Sequence, residues 1–523
     1  MPKFVGITIG PIFDTIMDAS TPAALWFASS IFSDITRRIC IGVEKNFENA
    51  KIYSPYYAKN IHIHDGVGKF HDRIIFSTEQ YDHVKLKSLI KEVKTKTIDN
   101  FPEQFNNKNS VLFLEQYLQI HYVVLEKKDS EKKDSEKKDS EKKDLEKKNC
   151  ILALSPYLDT LELMRTFPED DSKNIFRRLF LGEEEAGNIY IKQSKLFTNI
   201  ESDKNQFKKN KECIWTISEI SSDHEKITEK LKRKDYYALV KADGDGMGKF
   251  LETLENTIVT NFSEACLSYD EKVSEIIAKY GGMTIYAGGD DLLFLAPVIN
   301  QKGDNIFDLC INIRKLFQEY IIKPESLKNS KPVPTVSFGI TIQYKKYPLY
   351  EAVKKGEELL KLAKSCDKQK DKMAIYIQKH SGSNVTIIVP NINNNVLKEV
   401  LNPAIAENEK IVNSVIYTLE HFKHIIYVMN NKVHEGQMDA AAYEEAFMNL
   451  FDHLEQKVNE NYFKGICSTY FKYFVNENDK IIVPADDIES ECNPKSKEED
   501  KSLKTFLYLL WIKKFLLEKE GDK

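Results

Sequence analysis

The sequence has no Cys-x-x-Cys pair among its eight cysteines, Cys40, Cys150, Cys213, Cys266, Cys310, Cys366, Cys467 and Cys492. That excludes a zinc ribbon, which needs the paired spacing, and thiols scattered through a long chain fit a reducing cytoplasm. No basic-then-apolar segment stands at Met1-Pro2-Lys3-Phe4-Val5-Gly6, so no secretory signal is expected. Long hydrophobic runs are missing as well. The most apolar tail stretch, Phe506 to Leu517, is short and carries Lys513 and Lys514, which predicts a helix packed in a core or against a partner rather than a membrane span. An excess of positive charge is also absent: 75 Lys and Arg face 80 Asp and Glu, for a net charge of −5 and a pI near 6.2. A protein gripping nucleic acid by its own surface is usually basic, so any such grip falls to local patches or partner subunits.

Two phosphate-binding signatures are lacking where they would be sought. In Lys241-Ala-Asp-Gly-Asp-Gly-Met-Gly-Lys249 a P-loop would need Gly at 243 and Ser or Thr at 250, where Asp243 and Phe250 stand. The stretch does not have the G-x-G-x-x-G spacing, and as an EF-hand it lacks the ligand spacing and the closing Glu.

What is present is a long, soluble chain. Its 523 residues imply roughly three or four domains, and 42% hydrophobic residues with a mean hydropathy of −0.43 suffice for real cores. Phe4 to Ile9 reads as a buried strand ending at Gly10-Pro11. Ser20-Thr21-Pro22 reads as a helix start, with Pro at the first helical position, and the helix runs to about Ile39. Residues 51–80 read as a hairpin ending in Arg73-Ile-Ile-Phe76, Tyr81 to about Phe101 as a helix, and Tyr117 to Leu125 as a strand. This order is βαββαβ, the ferredoxin-like pattern. Residues 126–149 repeat Glu-Lys-Lys-Asp-Ser, are nearly charge-balanced and have almost nothing to bury, so they read as a solvated linker. Residues 150–234 read as a small, mainly helical domain.

The first pattern recurs over 235–382. Tyr236 to Ala242 is a strand, helices start near Met247 and Ala265, and a hairpin, a helix at Asp308–Ile321, a strand at Thr335–Ile342, a helix at Tyr347–Lys364 and a strand at Met373–Ile377 follow. Residues 383–523 begin with Val385 to Val389 and become mainly helical. The expected class is therefore α+β: a first ferredoxin-like unit over 1–125, a second over 235–382, a helical insert, and a C-terminal helical domain.

The chemistry is expected in the second unit. Tyr286-Ala-Gly-Gly-Asp-Asp291 reads as a hairpin tip. Gly288 and Gly289 permit positive φ and close approach, and the adjacent Asp290 and Asp291 repel one another unless a cation lies between them. Asp243 ends a strand, with Gly244, Gly246 and Gly248 allowing backbone approach to phosphate oxygens. Three carboxylates converging at one sheet edge make a hard-oxygen site for Mg²⁺ or Mn²⁺. Lys364, Lys368 and Lys372 lie at and beyond the end of the 347–364 helix, within reach of a triphosphate.

This second unit resembles the palm shared by GGDEF-type nucleotide cyclases and polymerases. With Gly6-Ile-Thr-Ile-Gly-Pro-Ile12, Ala23-Ala-Leu-Trp-Phe-Ala-Ser-Ser30 and Trp215-Thr-Ile-Ser-Glu-Ile220, nearly the whole chain resembles the large polymerase-like subunit of type III CRISPR effector complexes, Cmr branch. The resemblance implies that Asp243, Asp290 and Asp291 hold two metal ions, Mg²⁺ or Mn²⁺. It implies that Gly288 and Gly289 shape the turn, and that Gly244, Gly246, Lys364 and Lys372 meet the nucleotide, with Asp245 a weaker candidate. It implies ATP as substrate, other protein subunits of the complex with guide RNA and target RNA as partners, and activation by target RNA. The product is then cyclic oligoadenylate, or AMP joined to S-adenosylmethionine as second substrate. In the latter case Asp65 or Asp72 would meet an ammonium or sulfonium group at the first palm.

Three departures bear on that resemblance. The chain starts on the palm strand, where many relatives have an HD nuclease domain, so DNA cleavage is not expected. His64-Asp65 and His71-Asp72 lie in a hairpin rather than on the helical scaffold an HD site needs. The zinc-binding cysteines of some relatives are missing, and Asp291 stands where the diguanylate cyclase motif has Glu. A non-catalytic scaffold subunit and a free-standing nucleotide cyclase are the competing functions.

Overall fold

The computed structural model describes residues 2–57, 67–126, 149–164, 174–180, 191–198, 208–209, 213–214, 216–222, 235–324, 327, 332–366, 368, 370–390, 394–401, 409–451, 460–475 and 501–517. The Glu-Lys-Lys-Asp-Ser repeats, Asp65 and Trp215 lie outside these residues.

The first sheet comprises β1 (Lys3–Gly10), β2 (Lys51–Ser54), β3 (Arg73–Thr78) and β4 (Gln119–Glu126), in the order β2-β3-β1-β4. Every neighbouring pair is antiparallel. The crossovers are α1 (Pro22–Asn46) and α2 (His83–Lys96). This is the ferredoxin-like arrangement that the order of apolar runs predicts. Thr21 caps α1 by accepting a hydrogen bond from the Ala24 N–H at 3.1 Å, and Pro22 occupies the first turn, where no amide donor is missed. The helix continues past Ile39 to Asn46 because Cys40, Gly42 and Val43 keep one face in the core.

The second sheet contains six strands in the order β10-β9-β8-β5-β7-β6. These are β5 (Tyr236–Asp245), β6 (Met283–Gly288), β7 (Asp291–Pro297), β8 (Thr335–Tyr344), β9 (Lys372–Gln378) and β10 (Asn384–Pro390). Strands β8-β5-β7-β6 repeat the ferredoxin order, with α4 (Asn256–Tyr280) and α5 (Ile306–Phe317) as crossovers. Helix α6 (Leu349–Ser365) then returns the chain so that β9 lies parallel to β8. A helix is the usual way to join parallel strands.

Two expected boundaries move. The sequence pattern places Val385 to Val389 in the C-terminal unit, but β10 pairs along β9 from Asn384 to Pro390 and completes the second sheet. Its apolar residues find a partner strand only there. Likewise α3 (Cys150–Leu163), expected in a separate helical domain, packs on β1 and β4. Leu158 would stand 3.3 Å from a Cβ at Gly6, so the missing side chain lets the helix sit close to the strand.

The two units pack crosswise. Helix α1 of the first touches β6 of the second, and α4 of the second touches β2 of the first. The Ala287 N–H also donates to the Gly68 carbonyl at 3.0 Å, stitching the segment before β3 to the edge of the second sheet. Beyond β10 come α7 (Asn394–Leu401), α8 (Glu409–His421), α9 (Lys423–His434), α10 (Ala440–Asn449), α11 (Glu460–Tyr470) and α12 (Lys501–Leu517). Helix α12 packs on α7, α8 and β10, so the apolar tail stretch is a core helix.

Candidate active site

The hairpin register pairs Gly288 with Asp291, which leaves Gly289 and Asp290 as the two central turn residues. Gly289 has φ +83°, the left-handed conformation a two-residue hairpin asks of glycine. Asp290 is therefore in the two-residue turn, and Asp291 begins β7. The buried carboxylate of Asp270 on α4 accepts the Gly289 N–H at 2.9 Å and fixes the turn from below.

The predicted carboxylates are brought to the same sheet edge. In the register of β5 against β7, Ala242 faces Leu292, so the next step sets Asp243 beside Asp291. Side chains alternate along a strand, and Gly244 presents its bare Cα to the opposite side, where a Cβ would meet Asp290 Oδ2 at 2.7 Å and Met247 Cγ at 2.6 Å. Gly244 thus makes room for Asp290 rather than lying open as a phosphate cradle. Gly246, with φ +73°, caps the short helix Met247–Leu251.

Lys364 reaches from the last turn of α6 to Asp243, forming an ion pair, and also donates to the Gly244 carbonyl at 3.0 Å. Burial, with Lys370 and Lys241 nearby, pushes its ammonium down to about 8. Lys372 is buried; its ammonium donates to the Lys370 carbonyl at 3.0 Å, so it faces its own turn instead of the cavity. Lys368 is exposed.

Burial, then the neighbouring Asp291 and Asp245, pushes Asp290 up to about 7. Asp291 is raised too, by burial first, with Lys241 opposing and Glu357 reinforcing. Asp291 nevertheless lies open to the cleft, so solvent tempers that rise. Lys241 itself is paired with Glu357 of α6.

A cavity of about 460 Å³ opens over the turn, walled by both sheets. Asp270, Tyr286 and Asp290 line it from the second unit, and Lys69, His71 and Asp72 from the first. A second cavity of about 320 Å³, lined by Thr8, Phe13, His121 and Lys241, shares Asp72, Tyr286 and Asp291 with it. Asp72 is pushed up to about 6 by burial, then by Glu162 and Asp291, while Arg73 opposes. His71 is driven down to about 4 by burial and Arg73, and its Nε2 is 2.9 Å from the Ser54 hydroxyl. A half-buried imidazole in that contact forms part of the cavity wall.

Asp243, Asp290 and Asp291 offer oxygen donors, which suit Mg²⁺ or Mn²⁺. Asp245 Oδ1 is buried and accepts no hydrogen bond, an unused hard donor at the site. Among the described residues no three Asp, Glu, His or Cys side chains are gathered into a ready cage. Mg²⁺ is usually held by one or two carboxylates together with substrate phosphates, so the residues present fit that ion. Sequence reasoning missed Asp270, Arg314 and Asp371. Each acts through a contact between distant segments, and no local spacing marks them.

Fold and site together define a palm-type α+β protein with paired ferredoxin-like sheets and an acidic turn. Within that class, residues 236–374 match the family described as Cas10/Cmr2, second palm domain. The CRISPR system Cmr subunit Cmr2 of Pyrococcus furiosus is 30% identical over 176 residues, covering 28% of this chain and 19% of that protein. The chain therefore spans about a fifth of the length of the curated relative it matches. A type III-B Cmr-beta structure in the apo state is similar over 81% of this chain and 75% of its own, with a TM-score of 0.54 and 13% identity. A Csm1–Csm4 cassette in complex with cA4 is similar over 99% and 70%, with a TM-score of 0.50 and 12% identity. Another, in complex with pppApApA, covers 99% and 69% at a TM-score of 0.50 and 12% identity. At these identities the structural likenesses are of fold. The resemblance to Cas10/Cmr2-type large subunits is thus borne out, as is the expected α+β class. Among the described residues no helix is long and apolar enough to cross a membrane.

Proposed function

We propose that this chain is the nucleotidyltransferase subunit of a cytoplasmic type III CRISPR ribonucleoprotein, switched on by target RNA and making a nucleotide second messenger from ATP. The observation that carries this reading is that the strand register sets Asp243, paired with Lys364, beside Asp291 at one end of the second sheet, while Asp290 and Asp291 line a cavity of about 460 Å³ that both sheets wall. The bound molecules of the Csm1–Csm4 structures, cA4 and pppApApA, support ATP as the substrate.

In this reading a hydroxyl attacks the α-phosphorus of ATP, the α–β phosphoanhydride breaks and pyrophosphate leaves. Asp243, Asp290 and Asp291 would hold two divalent ions, whose charge would favour the deprotonated hydroxyl and offset the leaving phosphates. Lys364 adds a positive charge on the phosphate side. Gly288 and Gly289 give the turn its shape, and the cavity walls exclude water. A bound cation also offsets the repulsion that now raises Asp290.

A second acceptor, S-adenosylmethionine, is favoured by one observation. Asp72 of the first unit stands in the cavity wall close to Asp291, where a carboxylate can meet a cationic substrate. The test is to supply the assembled complex with target RNA, Mg²⁺ or Mn²⁺ and labelled ATP, with and without S-adenosylmethionine, and to identify products by mass spectrometry. Asp290→Ala combined with Asp291→Ala is expected to abolish synthesis while the complex still assembles. Synthesis by that double variant would overturn the assignment. Absence of pyrophosphate release from the native complex would favour a scaffold, and activity of the purified chain without RNA or partners a free-standing cyclase.

A further inference from the structure

Asp245 lies two residues beyond Asp243 on β5 and is buried. Its two oxygens are treated very differently. Oδ2 accepts three hydrogen bonds, from the Ser337 hydroxyl at 2.7 Å, the Thr335 hydroxyl at 2.9 Å and the Asp371 N–H at 3.0 Å. Oδ1 is buried, accepts no hydrogen bond, and faces the Lys364 ammonium at 3.9 Å. A carboxylate pinned by one oxygen has little freedom to turn, so the direction of the other is set by the protein.

The third donor comes from an unusual turn. Lys370 and Asp371, between α6 and β9, both have φ +53°, a left-handed conformation that non-glycine residues rarely adopt. Strained backbone persists where its surroundings over-determine it. Here Arg314 of α5 grips Asp371 with two hydrogen bonds, Nε to Oδ1 at 2.8 Å and Nη2 to Oδ2 at 2.5 Å. The paired geometry fixes direction as well as distance. Arg314, Asp371 and Asp245 therefore form a chain from the far helix to the nucleotide side of the sheet.

We propose that Asp245 is a positioning residue: anchored by β8 and by the Arg314–Asp371 pair, it directs its free oxygen at Lys364 and so sets where that ammonium stands. The assignment rests on the proposed role of Lys364 at the triphosphate. Asp245→Asn is the sharp variant. Its amide oxygen can still accept from Ser337, Thr335 and the Asp371 N–H, while an NH₂ group replaces Oδ1 and faces the ammonium. The fold is kept and the guidance is lost.

The test is equilibrium binding of ATP and of adenosine to the purified full chain, for the native protein, Asp245→Asn, Lys364→Met, the double variant and Asp371→Asn. Binding of ATP is expected to weaken about tenfold or more in Asp245→Asn, the scale of losing a hydrogen bond to a charged group. Adenosine, which has no phosphate, should bind as before. In the Lys364→Met background, Asp245→Asn should add no further loss, because the effect passes through Lys364. Asp371→Asn should reproduce part of the loss. Equal weakening of ATP and adenosine, additive losses in the double variant, or native ATP affinity in Asp245→Asn would each overturn the proposal. If the native chain and its variants all fail to bind ATP, the nucleotide reading itself falls, and this assignment with it.

Discussion

Asp270 shows how a single residue can serve the site at the expense of the fold. Its carboxylate is buried under the turn, where it accepts the Gly289 N–H. Burial pushes it well above the ordinary carboxylate range, against the opposing influence of that N–H and of Lys69. With the folded-state value raised, the folded protein holds a proton that the unfolded chain has already released. Folding stability from this group is then present at low pH and lost as pH rises through the folded value. Asp270→Asn keeps an acceptor for Gly289 and removes the ionisation. We expect it to raise the melting temperature by about 1–3 °C at pH 8 and to change it least near pH 4, about the ordinary carboxylate value, where the unfolded chain also still holds much of the proton. Melting curves at the two pH values check this, and equal shifts at both would show that ionisation is not the cause. The turn that carries Asp290 and Asp291 was legible because two glycines and two carboxylates in sequence mark a tight hairpin. Asp270 was not legible: it is one acidic residue in an amphipathic helix, and only the docking of that helix under the turn gives it a role.

At the scale of elements, the position of Lys364 depends on how closely α6 lies on β8. Gly339 has no side chain where Leu360 N would be 2.6 Å from a Cβ, and the Gly356 carbonyl also crowds that point. These are backbone atoms and cannot move aside as a side-chain end does. Gly339→Ala is expected to cost about 1–3 kcal/mol, the usual scale of overpacking, and to weaken ATP binding by shifting the helix that carries Lys364. Denaturant titration and ATP binding measured together check this; an unchanged midpoint would refute the close-contact argument. The elements themselves were largely legible. Alternating apolar runs and the Thr21-Pro22 start mark β1 and α1, and the recurrence of the same order marks the second sheet. Helix ends were less legible. Helix α4 begins at Asn256 rather than near Ala265, because burial of Val259 and Phe262 adds turns that local spacing does not require.

For the whole molecule, the two sheets and the C-terminal helices share one continuous core. Helix α12 reaches that core through Phe515, whose ring meets Tyr236 edge-on at 5.0 Å, at the start of the strand whose other end carries Asp243. Lys379 lies over the Trp511 ring at 4.7 Å and holds the β9–β10 turn to the same helix. Phe515→Ala is expected to cost about 3–5 kcal/mol, as for other buried aromatics, measured by urea denaturation. A loss below about 1 kcal/mol would mean that the helix is not integral to the fold.

The sequence by itself determined the strand–helix order of both sheets and the acidic turn, because periodicity and turn chemistry act over a few residues. Tertiary structure alone decided the rest: that β10 completes the second sheet, that α3 covers the first, that Lys372 turns away while Lys364 meets Asp243, and that Asp72 shares a cavity wall with Asp291. Each of these joins segments far apart in the chain, and such contacts are chosen by the burial and pairing available in the assembled fold, which no local pattern encodes.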